Sequence, residues 1–272
     1  MSKLSKLIII LLAGIWLLVT FYPFVFMVQT SMKTNMEYFS SVWSLPENIN
    51  IDNYIEALNS GFMRYYLNSL YVTLTSVLII IISASMAAYM IARIDFKFST
   101  LTFSFFLAGM MIPIHITLIP VYRMTQTMGL YDTLTGLIGP YVAFSLPVSI
   151  FILTGFISDI PKELEEAAFI DGANLFQIYT KIILPLIKPA ISTIAIYNMV
   201  ILWNEFVYAL VLISNPEKWN LTLGLFNFQG QYATNIPMIM TGVTLSVLPL
   251  LLFYIFLQER VIKGMTAGAV KG

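Results

Sequence analysis

Apolar residues in this chain come in long runs rather than in alternation. Six stretches reach the roughly 20 residues a helix needs to cross a bilayer: 7–28, 67–92, 99–121, 134–157, 190–213 and 239–257. Inside them the only acidic, basic or imidazole side chains are His115 and Glu205. Strands of a membrane barrel would alternate over about 10 residues, and these runs are too long and too evenly apolar for that. The pattern predicts an all-α integral membrane protein with six transmembrane helices in one domain, residues 1–272. The first run follows Lys3 and Lys6 but is longer than a signal-peptide core. Bulky Phe21, Tyr22, Pro23 and Phe24 stand where a small-residue cleavage site belongs, so an uncleaved anchor is expected.

Charge then orients the spans. With the N-terminus inside, Lys3, Lys6, Arg93, Lys97, Lys162, Lys181, Lys188, Arg260, Lys263 and Lys271 are cytoplasmic, against Lys33, Arg64, Arg123 and Lys218 outside. That excess places both termini in the cytoplasm. The outer loops become 29–66, 122–133 and 214–238; the inner ones are 93–98 and 158–189. In the first outer loop, Ile51, Tyr54, Ile55 and Leu58 predict a short interfacial helix capped by Asn50.

Composition narrows the function classes. Hydrophobic residues make up 58% and charged residues 10%, too few charges to cover a soluble protein's surface. The net charge is zero, so nothing points to nucleic acid. There is no cysteine and one histidine, which leaves no thiol chemistry and no His-rich metal site. No Gly is followed by Lys, so the chain lacks a phosphate-binding P-loop. An enzyme is not expected, and energy must come from elsewhere.

The inner loop 158–189 holds Asp159, Glu163, Glu165, Glu166 and Asp171, five of the chain's 14 acidic residues. Pro161 suits a first helical turn, Gly172 a left-handed helix end, Asn174 with Gln177 a capping box, and Pro185 a limit to the second helix. The prediction is a helix–turn–helix at the membrane surface. Leu164, Ala167, Ala168 and Asp171 share one face, which fits either a docking surface or a loop folded back on the membrane.

Glu166, Ala167, Ala168, Gly172, Ile182, Leu184 and Pro185 match the fixed positions of the EAA motif of ABC importer permeases. The chain resembles that family, most closely its carbohydrate branch. Further matches are Asp52-Asn53-Tyr54, Asn68-Ser69, Asp171-Gly172-Ala173, Trp203-Asn204-Glu205-Phe206 and the tail from Gly264 to Gly272. The resemblance implies a type I importer permease fold, a sister permease, a cytoplasmic ATPase dimer holding ATP and Mg, and an extracytoplasmic sugar-binding protein. It implies that Glu166, Ala167, Ala168, Asp171, Gly172, Ile182, Leu184 and Pro185 couple to the ATPase, with Lys263 and Lys271 in an ATPase-facing tail. It also implies that the third outer loop faces the binding protein through Trp219, Asn220, Phe226, Phe228, Gln229, Gln231 and Tyr232. An interfacial aromatic belt would use the same residue types.

Asn198, Trp203, Asn204 and Glu205 form a polar stripe in the fifth span. They are candidates for the translocation path or a subunit interface, with helix–helix hydrogen bonding as the other reading. His115, between Pro113 and Pro120, is read as satisfying a kinked backbone. Two rivals remain: a permease for another polar solute such as glycerol phosphate, which would want basic residues in the spans, and a gradient-driven secondary transporter, which would want several intramembrane carboxylates.

Overall fold

The computed structural model describes the backbone of residues 3–269 and the side chains of residues 4–256. In chain order the helices are α1 (Lys3–Ser31), α2 (Asn35–Ser40), α3 (Asp52–Ala57), α4 (Met63–Arg93), α5 (Ser99–Gly109), α6 (Leu118–Thr127) and α7 (Leu134–Ser158), then α8 (Glu163–Ile170), α9 (Leu175–Ile178), α10 (Leu184–Leu186), α11 (Lys188–Trp203), α12 (Val207–Leu212), α13 (Leu221–Gln231) and α14 (Ile236–Ala269). No strand occurs among the described residues. Four helical segments, Leu4–Ser31, Asp52–Arg93, Leu134–Ser158 and Ile236–Phe256, are long and apolar enough to cross a bilayer. Two bent pairs bring the number to six if each is one span: Ser99–Gly109 with Ile114–Thr127, bent by 89°, and Leu175–Leu186 with Lys188–Trp203, bent by 72°.

Three expectations need correction. The run 99–121 is not one helix: the chain breaks after Gly109, and Pro113 cannot continue the hydrogen-bond ladder. In the bend, the Ile114 carbonyl accepts from the hydroxyls of Thr117 and Tyr208 at 2.6 and 3.2 Å. The run 190–213 also breaks, at Asn204–Phe206. Asn198 and Glu205 therefore do not share one continuous helix face. Finally, the loop 214–238 contains α13, a helix its aromatic and amide composition did not announce.

The described residues fall into two compact units, one built from the chain up to Arg64 with Gly224–Leu248, the other from Tyr65–Leu223 and the chain from Pro249 onward. In the first, α1 leaves its apolar length uncovered: Leu11, Trp16 and Leu18 are all more than half exposed. Its C-terminal end is tied down by side chains. Asn53 donates to the carbonyls of Ser31 and Lys33 at 2.9 Å each, Tyr54 and Ser31 share a 2.5 Å hydroxyl contact, and Thr241 donates to Ser31 at 3.2 Å. Helix ends leave carbonyls without partners, and these residues supply them. Asn50 does not cap α3 directly. Ile51 is the cap residue, and the Asn50 side chain accepts from the Asp52 amide at 2.9 Å. Phe228 packs beside Ala57 and Met238, with ring neighbours Phe62 and Tyr232.

The second unit is built on α4, α7 and α11. On α4, Ser69, Val72, Thr73, Ser76, Ile80, Ala84, Ala88 and Tyr89 are buried at helical spacing. One core cluster joins Val72, Ile80, Leu137, Tyr141, Leu202 and Tyr208. The other joins Ala84, Ala88, Ile150, Leu153, Ile157, Ile178, Ile183 and Ile194. Small Ala and Ser side chains in these contacts let apolar helices approach closely without relying on the hydrophobic effect.

Candidate functional site

The loop between α7 and α11 folds as its residues dictate. Glu163, Glu165 and Glu166 occupy the first turn of α8, where exposed amides favour anions. Pro161 lies just outside that turn, and Lys162 is the cap residue. At the other end Gly172 takes φ +86°, and the amides of Gly172 and Ala173 donate to the carbonyls of Phe169 and Ala168 at 3.1 and 3.0 Å. This pair of bonds is a Schellman motif, and it needs a residue tolerant of the left-handed region. Asn174 then opens α9 with a complete capping box: its side chain accepts from the Gln177 amide, and the Gln177 side chain accepts from the Asn174 amide, both at 2.9 Å. Pro185 does not end the second helix. A wide π-turn over Tyr179–Ile183 relaxes the ladder ahead of it, and the chain bends at Ile187 instead.

The fold brings the two halves of the motif together. Ala168, Asp171, Gly172, Ala173, Gln177, Lys181 and Ile182 line one hollow of about 410 Å³. Ile182 and Leu184 also pack against the cytoplasmic-end core. Glu166, Ala167, Asp171, Gly172 and Pro185 are exposed. Beside them Phe169 and Ile170 are 63% and 86% exposed, an unusual state for large apolar side chains on a polar loop.

A polar network absent from the motif holds this loop to α4. Arg93 Nε pairs with Glu165 Oε1 at 2.7 Å, and another Arg93 guanidinium nitrogen donates to the Ile160 carbonyl. The Tyr89 hydroxyl donates to Glu165 Oε2 at 3.2 Å, and Ser85 and Tyr179 share a hydroxyl contact of 2.8 Å. Sequence reasoning missed these residues. Their signal was the spacing of four from Ser85 to Tyr89 to Arg93, which lines one helix face.

The fifth-span candidates make contacts within the chain. Asn198 is buried and donates to Ser149 at 3.0 Å, the helix–helix bond that was the alternative reading. Trp203 is buried edge-on against Tyr66. Asn204 is exposed and donates back to the Val200 carbonyl at 2.8 Å, closing α11. Glu205 opens α12: its carboxylate accepts from the amides of Tyr208 and Ala209 at 2.7 and 3.3 Å and from the Tyr141 hydroxyl at 2.5 Å.

The outer-loop residues divide. Trp219 stacks near Tyr65, and its carbonyl accepts from Asn68 at 2.9 Å. Asn220, expected to face a partner, is instead buried. It donates to the Glu205 carbonyl at 2.9 Å and caps α13 by accepting from the Leu223 amide at 3.0 Å. Phe228 is likewise buried, because α13 turns it inward. Phe226, Gln229 and Gln231 are exposed. Tyr232 is half-buried and donates to Glu56 at 3.0 Å, and burial followed by that carboxylate raises its phenol above the ordinary value. Lys271 and the Lys263 side chain lie outside the described residues.

Residues 76–267 match the family model of binding-protein-dependent transport system inner membrane components. The chain is 51% identical over 260 residues to a putative ABC transporter permease protein of Caldicellulosiruptor sp. (strain Rt8B.4), covering 95% of this chain and 94% of the relative. It is 35% identical over 270 residues to the melibiose/raffinose/stachyose import permease protein of Bacillus subtilis, covering 98% of each. Among solved structures, a chain of a bacterial ABC transporter involved in the import of the acidic polysaccharide alginate shares the fold, with TM-score 0.77 at 24% identity over 95% of this chain and 98% of that one. The capped and exposed inner loop thus sits in a chain that belongs to the binding-protein-dependent ABC transport permeases, as an all-α, multi-pass membrane subunit whose ATPase is a separate protein.

Proposed function

We propose that this chain forms half of the translocation path of an oligosaccharide importer in the plasma membrane and takes its energy from a cytoplasmic ATPase through α8. The observation that carries this reading is the exposed face at Phe169 and Ile170, presented by a helix capped at its far end and carrying three carboxylates in its first turn. Two ATPase subunits, holding ATP and Mg between them, close on nucleotide and pull this helix. The spans then shift between two states through differential binding. A sister permease covers the apolar surface of this chain. An extracytoplasmic sugar-binding protein docks outside, where Phe226, Gln229 and Gln231 offer an aromatic ring and amides suited to a sugar. Relatives named for melibiose/raffinose/stachyose and for starch degradation products support the oligosaccharide class.

Co-purification of the membrane chain with its ATPase tests the coupling half. Glu166→Lys and Gly172→Trp are expected to insert normally and lose the ATPase. Full retention of both association and uptake would refute the assignment. Uptake of labelled raffinose and of a maltodextrin into proteoliposomes, with binding protein present, tests the substrate class.

A further inference from the structure

The helix α8 is continuous in sequence with α7 on one side and α9 on the other, yet its strongest polar attachment is to α4, a distant part of the chain. Two α4 side chains hold Glu165: Arg93 forms an ion pair with it, Nε to Oε1 at 2.7 Å, and the Tyr89 hydroxyl donates to Oε2 at 3.2 Å. The pair is shielded, with side-chain exposures of 5% for Arg93 and 15% for Glu165. Arg93 also grips the Ile160 carbonyl just before α8, so one guanidinium holds both the helix and its entry. Planar guanidinium geometry suits this double role, and lysine could not reproduce it.

A second tie runs from the segment after α9. Tyr179 meets Ser85 at 2.8 Å, and its ring lies 5.5 Å from that of Tyr89. Ser85, Tyr89 and Arg93 follow each other at intervals of four, so a single stripe of α4 receives both halves of the loop. Neighbouring Glu163 and Glu166 are exposed by contrast.

We infer that Arg93 and Glu165, completed by Tyr89, form a latch that makes α8 and the cytoplasmic end of α4 move as one body, so that ATPase closure drives the second span as well as the helices joined to the loop by the chain. Arg93 and Glu165 are positioning residues: they hold the docking helix without facing the ATPase. The inference rests on the proposed coupling role of α8. It places part of the coupling in a fixed contact between elements rather than in the docking surface itself.

The test uses the reconstituted importer with its ATPase and loaded binding protein. Glu165→Gln and Arg93→Gln should leave the amount of co-purified ATPase unchanged while sugar moved per ATP falls about tenfold, the scale of a typical coupling energy. The double variant should lose no more than either single one, since both break one contact. Unchanged transport per ATP, or losses that multiply in the double variant, would overturn the latch. A second arm exploits the absence of cysteine from the chain. Arg93→Cys with Glu165→Cys should transport poorly and recover when a short bismaleimide joins the two thiols. Failure of the tether to restore transport would also overturn it, even if the single variants fold badly. A wild-type chain that recruits no ATPase would instead refute the coupling role on which the latch stands.

Discussion

At the extracytoplasmic end of the Tyr65–Leu223 unit, Glu205, Asp132 and Asn220 direct their polar atoms at the chain's own backbone. Glu205 restarts a broken span, Asn220 starts α13, and Asp132 accepts from the amides of Ser214 and Asn215 at 2.9 Å each. At the cytoplasmic end, Glu166 and Asp171 lie exposed beside uncovered Phe169 and Ile170. Both ends are rich in polar side chains, and residue type alone does not distinguish them. The difference lies in whether the polar groups are already used. Satisfied caps build scaffold; exposed carboxylates beside exposed apolar side chains form a face that the described residues leave uncovered. At the inner end Arg93, Glu165 and the Asn174–Gln177 capping box resemble the outer one.

The contrast can be broken by substitution, with thermal unfolding of the detergent-purified protein as the common scale. Glu205→Ala should have the largest effect, about 3 kcal/mol, because it strips acceptors from two backbone amides and a tyrosine hydroxyl. Asn220→Ala should follow at about 1.5 kcal/mol, a lost cap together with a lost bond to the Glu205 carbonyl. Gly172→Ala should cost about 1 kcal/mol: the added Cβ meets nothing within 4 Å, so the loss is the left-handed backbone at φ +86° and not a clash.

Asp132→Asn should cost less, under about 1 kcal/mol, since its Lys218 partner is 38% exposed and screened. This loss should depend on pH. The Asn215 amide first, with Lys218 and the Ser214 amide assisting and burial opposing, holds the Asp132 carboxyl below its ordinary value. A lowered folded-state value means that the stabilisation is complete above the unfolded carboxyl's titration near about pH 3.9 and fades as pH falls through the folded one. The gap between wild type and Asp132→Asn should therefore close in acid. Glu166→Lys should barely move the unfolding curve, yet abolish ATPase association. A large loss of stability there would place Glu166 with the scaffold and erase the contrast.

Much of this was legible beforehand. The capping box at Asn174–Gln177 and the left-handed Gly172 are local, so four or five neighbouring residues determine them. The six apolar runs followed from length and composition. What the local sequence does not encode involves partners far apart in the chain. Asn53 serves the end of α1, and Asn68 and Ser69 hold the turn into α13 by bonds to the Trp219 carbonyl and the Leu221 amide. In the sequence these residues stand out only as points of family resemblance. Their chemistry needs the third dimension, because an amide side chain is neutral about its partner until the fold supplies one. The break at Asn204–Phe206 was hidden for a related reason: an apolar run reports transfer into lipid, and transfer does not record whether the helix is continuous.

By itself, then, the sequence determined that the chain lives in a bilayer and where the capped helices of the loop between α7 and α11 begin and end. Hydrophobic transfer and helix capping act on neighbours and need no fold to operate. Only the tertiary structure decided which polar residues are scaffold and which remain available, and that Arg93 meets Glu165. Those outcomes turn on burial and on pairing between residues 72 positions apart, 93 and 165. No periodicity carries that information, because a charge desolvated beside its partner and a charge facing water are written with the same letter.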